Sequence, residues 1–219
     1  MPKSTAVPAP SPIDRDASGA QRRAERRERL IAAAVDVYGE VGYRNATVRA
    51  ICQRARLTER YFYEAFGSNE NLLVEAAAML ADQTLARMTA LRDTTTGGVD
   101  AVTMRVLTDY YRIQLHEASK ARVFTLEFRG ICESADAEFE RILDAFSALL
   151  VSIRDPEGVG PAASDRLLRR GIIGGILQIT LAWIESGYRE PPETVARAAA
   201  RICSLADAAP EKAPAAPEE

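Results

Sequence analysis

Residues 47–72 read TVRAICQRARLTERYFYEAFGSNENL, and this stretch decides the fold. Thr47 and Thr58 each precede a short run of helix-forming residues, and Ser68 precedes a longer one. Because Thr and Ser side chains cap helix N-termini, the stretch predicts two very short helices and the start of a third. Two short helices joined by a tight turn form a helix-turn-helix, which places its second helix in the major groove of DNA.

The rest of the chain also favours helix, because Ala, Leu, Arg and Glu dominate and no long alternation of β-branched residues occurs. We therefore predict an all-α protein of about nine helices. Gly42 ends the first helix at a position suited to a left-handed cap, and Ser134 and Ser164 are the predicted caps of the seventh and eighth. The predicted helices are residues 21–40, 48–54, 59–64, 69–92, 99–117, 120–132, 135–153, 165–187 and 193–207.

Composition divides the chain into four segments. Residues 1–20 and 209–219 are rich in Pro and poor in large apolar residues, so we predict a disordered N-terminal arm and a disordered tail. Residues 21–67 form the predicted helix-turn-helix domain. Residues 68–208 form a predicted helical body.

Charge is unevenly distributed along the chain. Residues 1–66 hold 12 Lys and Arg against 8 Asp and Glu, giving +4, whereas residues 67–219 hold 16 against 23, giving −7. A basic amino-terminal segment joined to an acidic body indicates a polyanionic partner for that segment. Chance clustering of charges is the alternative.

Several classes of protein are disfavoured by the sequence. Residues 171–184 are the nearest candidate for a membrane helix, but glycines interrupt them and they fall short of the roughly 20 residues required, so we expect a buried helix. Cys52, Cys132 and Cys203 lack metal-site spacing and predict three buried thiols in a reducing cytoplasm, with a redox sensor as the alternative. Because His116 is the single histidine and carboxylates do not cluster, we expect no enzyme activity, metal or cofactor.

A known family shares these elements in the same order. They are the apolar first helix, Gly42-Tyr43, Thr47-Val48, the Tyr63-x-x-Phe66 pattern and the run of residues 68–72. With them, residues 27–74 resemble the DNA-binding head of the TetR family of bacterial transcriptional regulators. The resemblance implies an amino-terminal three-helix DNA-binding domain followed by a helical ligand-binding and dimerisation bundle. Beyond residue 74 only length and helical character are similar.

Two residues depart from the family pattern. Arg56 stands where the family usually has Gly, and a non-Gly residue with positive φ costs on the order of 1 kcal/mol. The turn is then slightly strained, or Arg56 contacts a phosphate. Asn69 stands where Lys is usual and brings no charge, although its amide can donate to a phosphate. Because of these two changes, we expect somewhat weaker and less salt-dependent DNA binding than in a relative that carries Lys at this position.

The residues of the motif suggest roles in DNA recognition. Thr47 opens a helix, where its hydroxyl and the nearby amides can hold a phosphate or serve only as a cap. Arg60 can pair with guanine O6 and N7, and Tyr61 can touch a thymine methyl group or a phosphate. The resemblance implies a phosphate contact for Tyr63. The predicted DNA-binding residues are Thr47, Arg49, Thr58, Glu59, Arg60, Tyr61, Tyr63, Asn69, Arg22 and Arg26, of which Arg22, Arg26 and Arg49 are equally compatible with a solvated surface.

A short recognition helix reads too few base pairs to be selective alone, so specificity requires two heads on a palindromic site. We therefore predict a homodimer formed by the last two helices, whose glycines permit close approach and whose apolar residues share a face. The alternative is that these faces pack within one chain. The predicted interface residues are Gly171, Gly175, Ile179, Val195, Ala198 and Ile202.

The family resemblance also implies a small-molecule pocket in the body, coupled to the spacing of the two heads. The candidate lining residues are Tyr110, Tyr111, Phe124, Glu127, Phe128 and Trp183. Each aromatic residue fits an ordinary core equally well. Glu127 lies on an apolar helical face. Its carboxylate either binds a cationic or hydrogen-bonding ligand or is solvated.

These features together predict a DNA-binding transcriptional regulator of the bacterial cytoplasm, associated with the nucleoid. The preferred interpretation is a repressor released from a palindromic operator by a small molecule. Its partners are then double-stranded DNA, an unidentified small-molecule effector and a second copy of the chain, with no membrane. The alternatives are an activator of the same fold, a regulator that answers thiol oxidation or a protein partner, and a carrier or enzyme that has lost DNA binding.

Overall fold

The computed structural model describes residues 12–207, and these form nine helices and no strand. The prediction of an all-α fold is confirmed. A π-helical turn at Val123–Glu127 follows α6, and a single helical turn at Pro161–Ser164 precedes α8. The helices are α1 (Pro12–Val41), α2 (Val48–Ala55), α3 (Glu59–Ala65), α4 (Asn69–Thr94), α5 (Val99–His116), α6 (Ala118–Arg122), α7 (Glu133–Arg154), α8 (Arg166–Glu185) and α9 (Pro192–Cys203).

The described chain divides into two compact units, here called the head (residues 12–72) and the body (residues 73–207). Among the described residues α1 covers Pro12–Val41, so residues 12–20 of the predicted disordered arm are helical. Residues 1–11 of the predicted arm and the whole predicted tail lie outside the described residues.

Helix boundaries in the body differ from the prediction where two neighbouring residues could each cap the N-terminus of a helix. α8 is capped by Asp165, not Ser164, because the Asp165 carboxylate accepts hydrogen bonds from the amides of Leu167 (2.8 Å) and Leu168 (3.0 Å). A carboxylate is also favoured over a hydroxyl by the positive end of the helix dipole. Likewise α7 begins directly after Cys132, so Ser134 is inside the helix and is not its cap.

The helix predicted over residues 120–132 is interrupted. Regular α-helix ends at Arg122, and the π-helical turn ends at Glu127. Gly130 has φ of +75°, which right-handed helix does not permit, and its amide donates to Asp136 Oδ1 at 2.8 Å. The chain therefore turns at Gly130 and starts α7.

The head packs around one face of α1. Leu30, Ala34 and Tyr38 of α1 are buried, and so are Phe62 of α3 and Phe66 at its end. Both phenylalanines therefore belong to the core of the head. This core fixes α3 against α1 and leaves the remaining faces of α2 and α3 in solvent.

The body is a bundle in which α5 packs against α7 and α9, and α8 packs against α7 and α9. The approach of α8 to α9 depends on Gly175, because a Cβ there would lie 3.2 Å from Ile202 Cγ2. At the end of α7 the largely buried Arg154 side chain pairs with Asp100 and Asp207, which ties α5 and the 3-10 turn at Ser204–Ala206 to α7.

Among the described residues, α8 is one helix that is long and apolar enough to cross a membrane by length and composition alone. The apolar run of residues 171–184 lies inside this helix of 20 residues, so the length of the helix alone does not exclude a membrane span. However, Ile172, Ile176 and Trp183 of α8 are buried in the body. This burial favours a core helix.

The cysteine residues are free thiols in two environments. Cys52 and Cys203 are buried, as predicted, and burial raises the pKa of Cys203 to about 11. Cys132 is only half-buried, which corrects the expectation of three buried thiols, and its Sγ lies 3.2 Å from Ser134 Oγ. The difference arises because Cys132 precedes α7 and does not lie on a packed face.

An ion pair between α4 and α5 gives the body a testable pH dependence. Arg87 Nε donates to Asp109 Oδ2 at 2.5 Å, and this hydrogen bond holds the pKa of Asp109 below its ordinary value. A lowered pKa adds stability above the unfolded pKa of about 4, and that stability is lost as pH falls through the folded pKa. Because Arg87 is more than half exposed, we expect Asp109→Asn to cost at most about 1 kcal/mol at pH 7.

The measurement is urea unfolding of both proteins at a series of pH values from neutral to acid. The difference between wild type and Asp109→Asn should shrink below about pH 4 and disappear once Asp109 is protonated. Glu157→Gln is the control, since it also removes one carboxylate but lies in the exposed turn after α7. Its free energy of unfolding should equal that of the wild type at every pH. A difference that persists unchanged in acid would contradict the assignment.

Candidate DNA-binding surface and body cavity

Thr47 has the geometry of an N-cap whose hydroxyl proton is not used in capping. Its backbone is extended (φ −103°, ψ 147°), and its Oγ1 accepts a hydrogen bond from the Ala50 amide at 3.1 Å. The predicted cap of α2 is therefore confirmed. Since a hydroxyl can accept and donate at once, capping leaves its proton available for a phosphate oxygen at the same helix N-terminus.

The turn between α2 and α3 is built on Arg56 in the left-handed conformation, with φ 53° and ψ 46°. The strain predicted for a non-Gly residue at this position is thus present in the backbone. Arg29 of α1 supports the turn, because its Nη2 donates to the carbonyl oxygen of Ala55 at 2.5 Å. Arg29 was not predicted from the sequence, since no local pattern links residues so far apart.

Replacing Arg56 by glycine should stabilise the protein by about 1 kcal/mol, because glycine adopts this conformation without a Cβ clash. The free energy of unfolding measured in urea tests this. Gln53→Gly, at an exposed position inside α2, is the control and should destabilise by about 1 kcal/mol. Equal losses in both variants would show that Arg56 is not strained.

The recognition helix α3 presents Tyr63 to solvent and buries its neighbour. Tyr63 is 54% exposed, whereas Phe62 is fully buried and its ring meets the Tyr63 ring edge-on, with centroids 5.2 Å apart. The buried Phe62 thus limits where the Tyr63 ring can turn. Thr58 precedes α3 in extended conformation, as predicted, but its side chain makes no capping hydrogen bond.

Two predicted DNA-contacting arginines already have partners in the head. Arg60 Nε donates to Glu64 Oε1 at 2.7 Å, one turn along α3, and this hydrogen bond raises the Arg60 pKa. An ion pair this exposed is weak, so Arg60 can exchange Glu64 for a base edge at little cost. The Arg26 guanidinium lies 4.4 Å from the centre of the Tyr61 ring, which brings α1 and the recognition helix together at this point.

Asn69 is held by the first helix. Its Oδ1 accepts a hydrogen bond from the buried Tyr38 hydroxyl at 2.7 Å. This contact orients the amide so that Nδ2 is the group left to donate. Nδ2 can then donate to a phosphate, as predicted, without adding a positive charge. The remaining predicted residues Arg22, Arg49 and Glu59 have exposed side chains.

The body contains a cavity of about 160 Å³. Its walls come from α4, α5, α7 and α8 and from the segment that follows α5. Tyr110 and Phe124, two of the predicted pocket residues, line it, and burial raises the pKa of Tyr110 despite the opposing effect of the hydrogen bond that Gln114 donates to it. The Tyr110 hydroxyl is therefore a neutral polar group in a mainly apolar wall.

The other predicted pocket residues lie elsewhere. Tyr111, Phe128 and Trp183 are buried but do not line the cavity, and Glu127 is half-buried outside it. Sequence reasoning missed Gln114 and Glu117, which do line it. The spacing of Tyr110, Gln114 and Glu117 at i, i+4 and i+7 was the available signal, because such residues share one helical face.

The predicted interface residues fall into two groups. Gly171 and Ala198 are exposed, whereas Val195 is buried in the body core. Ile179 and Ile202 are partly buried against that core, and Gly175 receives Ile202 within the same chain. The exposed residues of α8 include the small or apolar residues Leu167, Gly171, Gly174 and Ala182 beside the polar residues Arg166, Arg170, Gln178 and Glu185.

Residues 30–76 match the profile described as bacterial regulatory proteins of the tetR family. The matched segment contains Thr47, the turn at Arg56 and Tyr63. The head is a tetR-family domain. No curated protein matches the chain.

Solved structures of regulators are similar in fold to both the head and the body of this chain. The regulator FadR of Bacillus subtilis, solved in complex with stearoyl-CoA, is 20% identical with a TM-score of 0.67, covering 80% of this chain and 96% of that one. A tetR-family regulator of Streptomyces coelicolor is 18% identical with a TM-score of 0.68, covering 83% and 79%. A regulator of Rhodococcus sp. Rha1 is 20% identical with a TM-score of 0.67, covering 82% and 95%. At these identities the likeness shows a shared fold.

Proposed function

We propose that this protein is a DNA-binding transcriptional repressor that a small molecule releases from a palindromic operator. The observation that carries the proposal is the head, a tetR-family domain in which the capping Thr47 hydroxyl keeps its proton available and Tyr63 is exposed to solvent. Hydroxyls and helix N-termini of this kind hold the phosphates that set the register of a protein on DNA.

The charges of the head support DNA as the partner. Arg22 and Arg49 are exposed, and Arg60 is 83% exposed and bound only by a weak ion pair. Side chains of this kind can neutralise phosphates and release counterions, which supplies much of the affinity for DNA. Because α3 is short, base readout by one head is limited, and a second head is needed for selectivity.

A homodimer would supply that second head. The exposed face of α8 carries Leu167, which is 77% exposed, together with Gly171 and Gly174, where an added Cβ meets nothing within 4 Å. Ala198 of α9 is exposed as well. Two such helices from each chain can form a four-helix interface.

The body supports control by a ligand. Its cavity of about 160 Å³ has mainly apolar walls and a few polar groups, which is the usual character of a small-molecule site. FadR of Bacillus subtilis, with the same fold, was solved with stearoyl-CoA, so a regulator of this architecture can hold a ligand. We propose that the effector of this protein favours a dimer conformation with lower operator affinity. The protein would then act in the bacterial cytoplasm, on the nucleoid.

The test is a titration of the purified full chain onto the DNA upstream of its own gene, followed by fluorescence anisotropy at several salt concentrations. We expect tight binding that falls steeply with salt and exceeds binding to a scrambled duplex by on the order of 10³-fold or more. Equal, weak binding to both duplexes would overturn the assignment as a specific regulator and favour a carrier that has lost DNA binding.

A further inference from the structure

We propose that the body cavity selects an uncharged, mainly apolar molecule about as bulky as a benzene ring, or that part of a larger molecule, which donates a hydrogen bond to Gln114. The inference rests on the proposed function, since it names the chemical class of the effector. It follows from the size of the cavity, from its hydrogen-bonding groups and from its charges.

The size of the cavity sets the bulk of the ligand. An engineered cavity of about 150 Å³ lined by Leu, Ile and Phe stays dry and binds benzene. The cavity here measures about 160 Å³, and its apolar walls come from several helices. These walls include Leu80, Met88, Leu107, Phe146, Ile176 and Leu177.

The hydrogen-bonding groups set the polarity of the ligand. Thr180 lines the cavity but is satisfied within the chain, because its hydroxyl donates to Ile176 O at 2.9 Å and lies 3.2 Å from the Tyr111 hydroxyl. Gln114 Nε2 donates to the Tyr110 hydroxyl at 2.7 Å. No hydrogen bond from a described residue reaches Gln114 Oε1, which is therefore an acceptor offered to a ligand.

The charges of the cavity exclude an ionic ligand. Glu117 and Lys120 are the charged residues in its lining, and they pair with each other, with Lys120 Nζ 3.7 Å from Glu117 Oε2. The pair is partly exposed, at the edge of the cavity, and carries no net charge. A carboxylate or ammonium group in the cavity would lose its hydration without gaining an unengaged counter-charge, which is costly.

Four probes that share one ring test this assignment by calorimetric titration of the full chain. They are toluene, benzyl alcohol, benzoate and benzylammonium. Benzyl alcohol should bind roughly fivefold tighter than toluene, the change produced by one hydrogen bond of ordinary net strength. It should bind at least about tenfold tighter than either ion, since both ions must be desolvated.

Matched variants connect the preference to Gln114. Gln114→Met keeps the length of the side chain and removes the acceptor. The affinity for benzyl alcohol should therefore fall to that for toluene, and the affinity for toluene should not change. Gln83→Met makes the same replacement at an exposed position of α4 outside the cavity and should change neither affinity. Thermal unfolding of both variants establishes that they are folded.

The inference is overturned if benzoate or benzylammonium binds as tightly as benzyl alcohol, if toluene equals benzyl alcohol in the unmodified chain, or if no probe binds. Operator titration of the same preparation separates the two proposals. Specific DNA binding with the wrong order of probes refutes the ligand class alone. Absence of specific DNA binding refutes the regulator, whatever the probes show.

Discussion

Operator affinity is expected to fall about a hundredfold when Thr47→Ala and Tyr63→Phe are combined, and about tenfold for each alone. Each change removes one hydroxyl that we assign to a phosphate, and a hydrogen bond to a charged group contributes about 1.5–3 kcal/mol. Anisotropy with the operator duplex at constant salt measures the loss. Because neither contact reads a base, affinity for random DNA should fall in parallel.

Thr47 also caps α2, so the two roles must be separated. Thr47→Ala should lose about 1 kcal/mol of stability with the cap, whereas Thr47→Ser keeps the hydroxyl and should keep both stability and affinity. Thr96→Ala in the loop after α4 and Tyr188→Phe in the body delete the same hydroxyls away from the head. If these controls weaken operator binding as much as the head variants do, the assigned contacts are wrong.

Trp183→Ala should destabilise the protein by about 3–5 kcal/mol, the usual cost of truncating a buried large aromatic residue. Trp183 is 3% exposed and meets the rings of Tyr111 and Tyr188 edge-on, with centroids 5.4 and 4.9 Å away. Its Nε1 donates to Glu190 O at 2.8 Å, which fixes the loop after α8. Urea unfolding followed by far-UV circular dichroism measures the loss.

Two further variants calibrate that result. Trp183→Phe keeps much of the packing and removes the hydrogen bond, so it should cost distinctly less than alanine. Val159→Ala, at a residue 81% exposed in the turn before α8, should stay within about 0.5 kcal/mol of the unmodified chain. A loss below about 1 kcal/mol for Trp183→Ala would mean that the aromatic cluster does not support the body.

The head was largely predictable because its signals are local. Thr47 acts within a few residues of its own position, so local spacing indicated the cap of α2. The strain at Arg56 was expected from the resemblance to the tetR family, and the predicted cap at Thr58 makes no hydrogen bond. The start of α8 was not predictable in the same way. Ser164 and Asp165 are both acceptable caps by type, and only the path of the chain selects Asp165.

The cavity was less predictable because it depends on which helices meet. Tyr111 and Tyr110 are adjacent in sequence and equally aromatic, yet only Tyr110 lines the cavity, while Tyr111 turns to Trp183 and Thr180. Likewise Gly175 looked suited to a contact between chains, but Ile202 fills that position within one chain.

By itself the sequence determined the all-helical fold, the helix-turn-helix and the surface of the head, because helix periodicity, caps and charge are properties of neighbouring residues. Only the tertiary structure decided that Arg29 supports the turn, that Asn69 is held by Tyr38, and that Gln114 faces a cavity with a neutral ion pair at its edge. The physical reason is that the first two contacts, and the walls of the cavity, join residues on different helices. Their formation depends on how side chains pack in three dimensions, which periodicity along one helix does not specify.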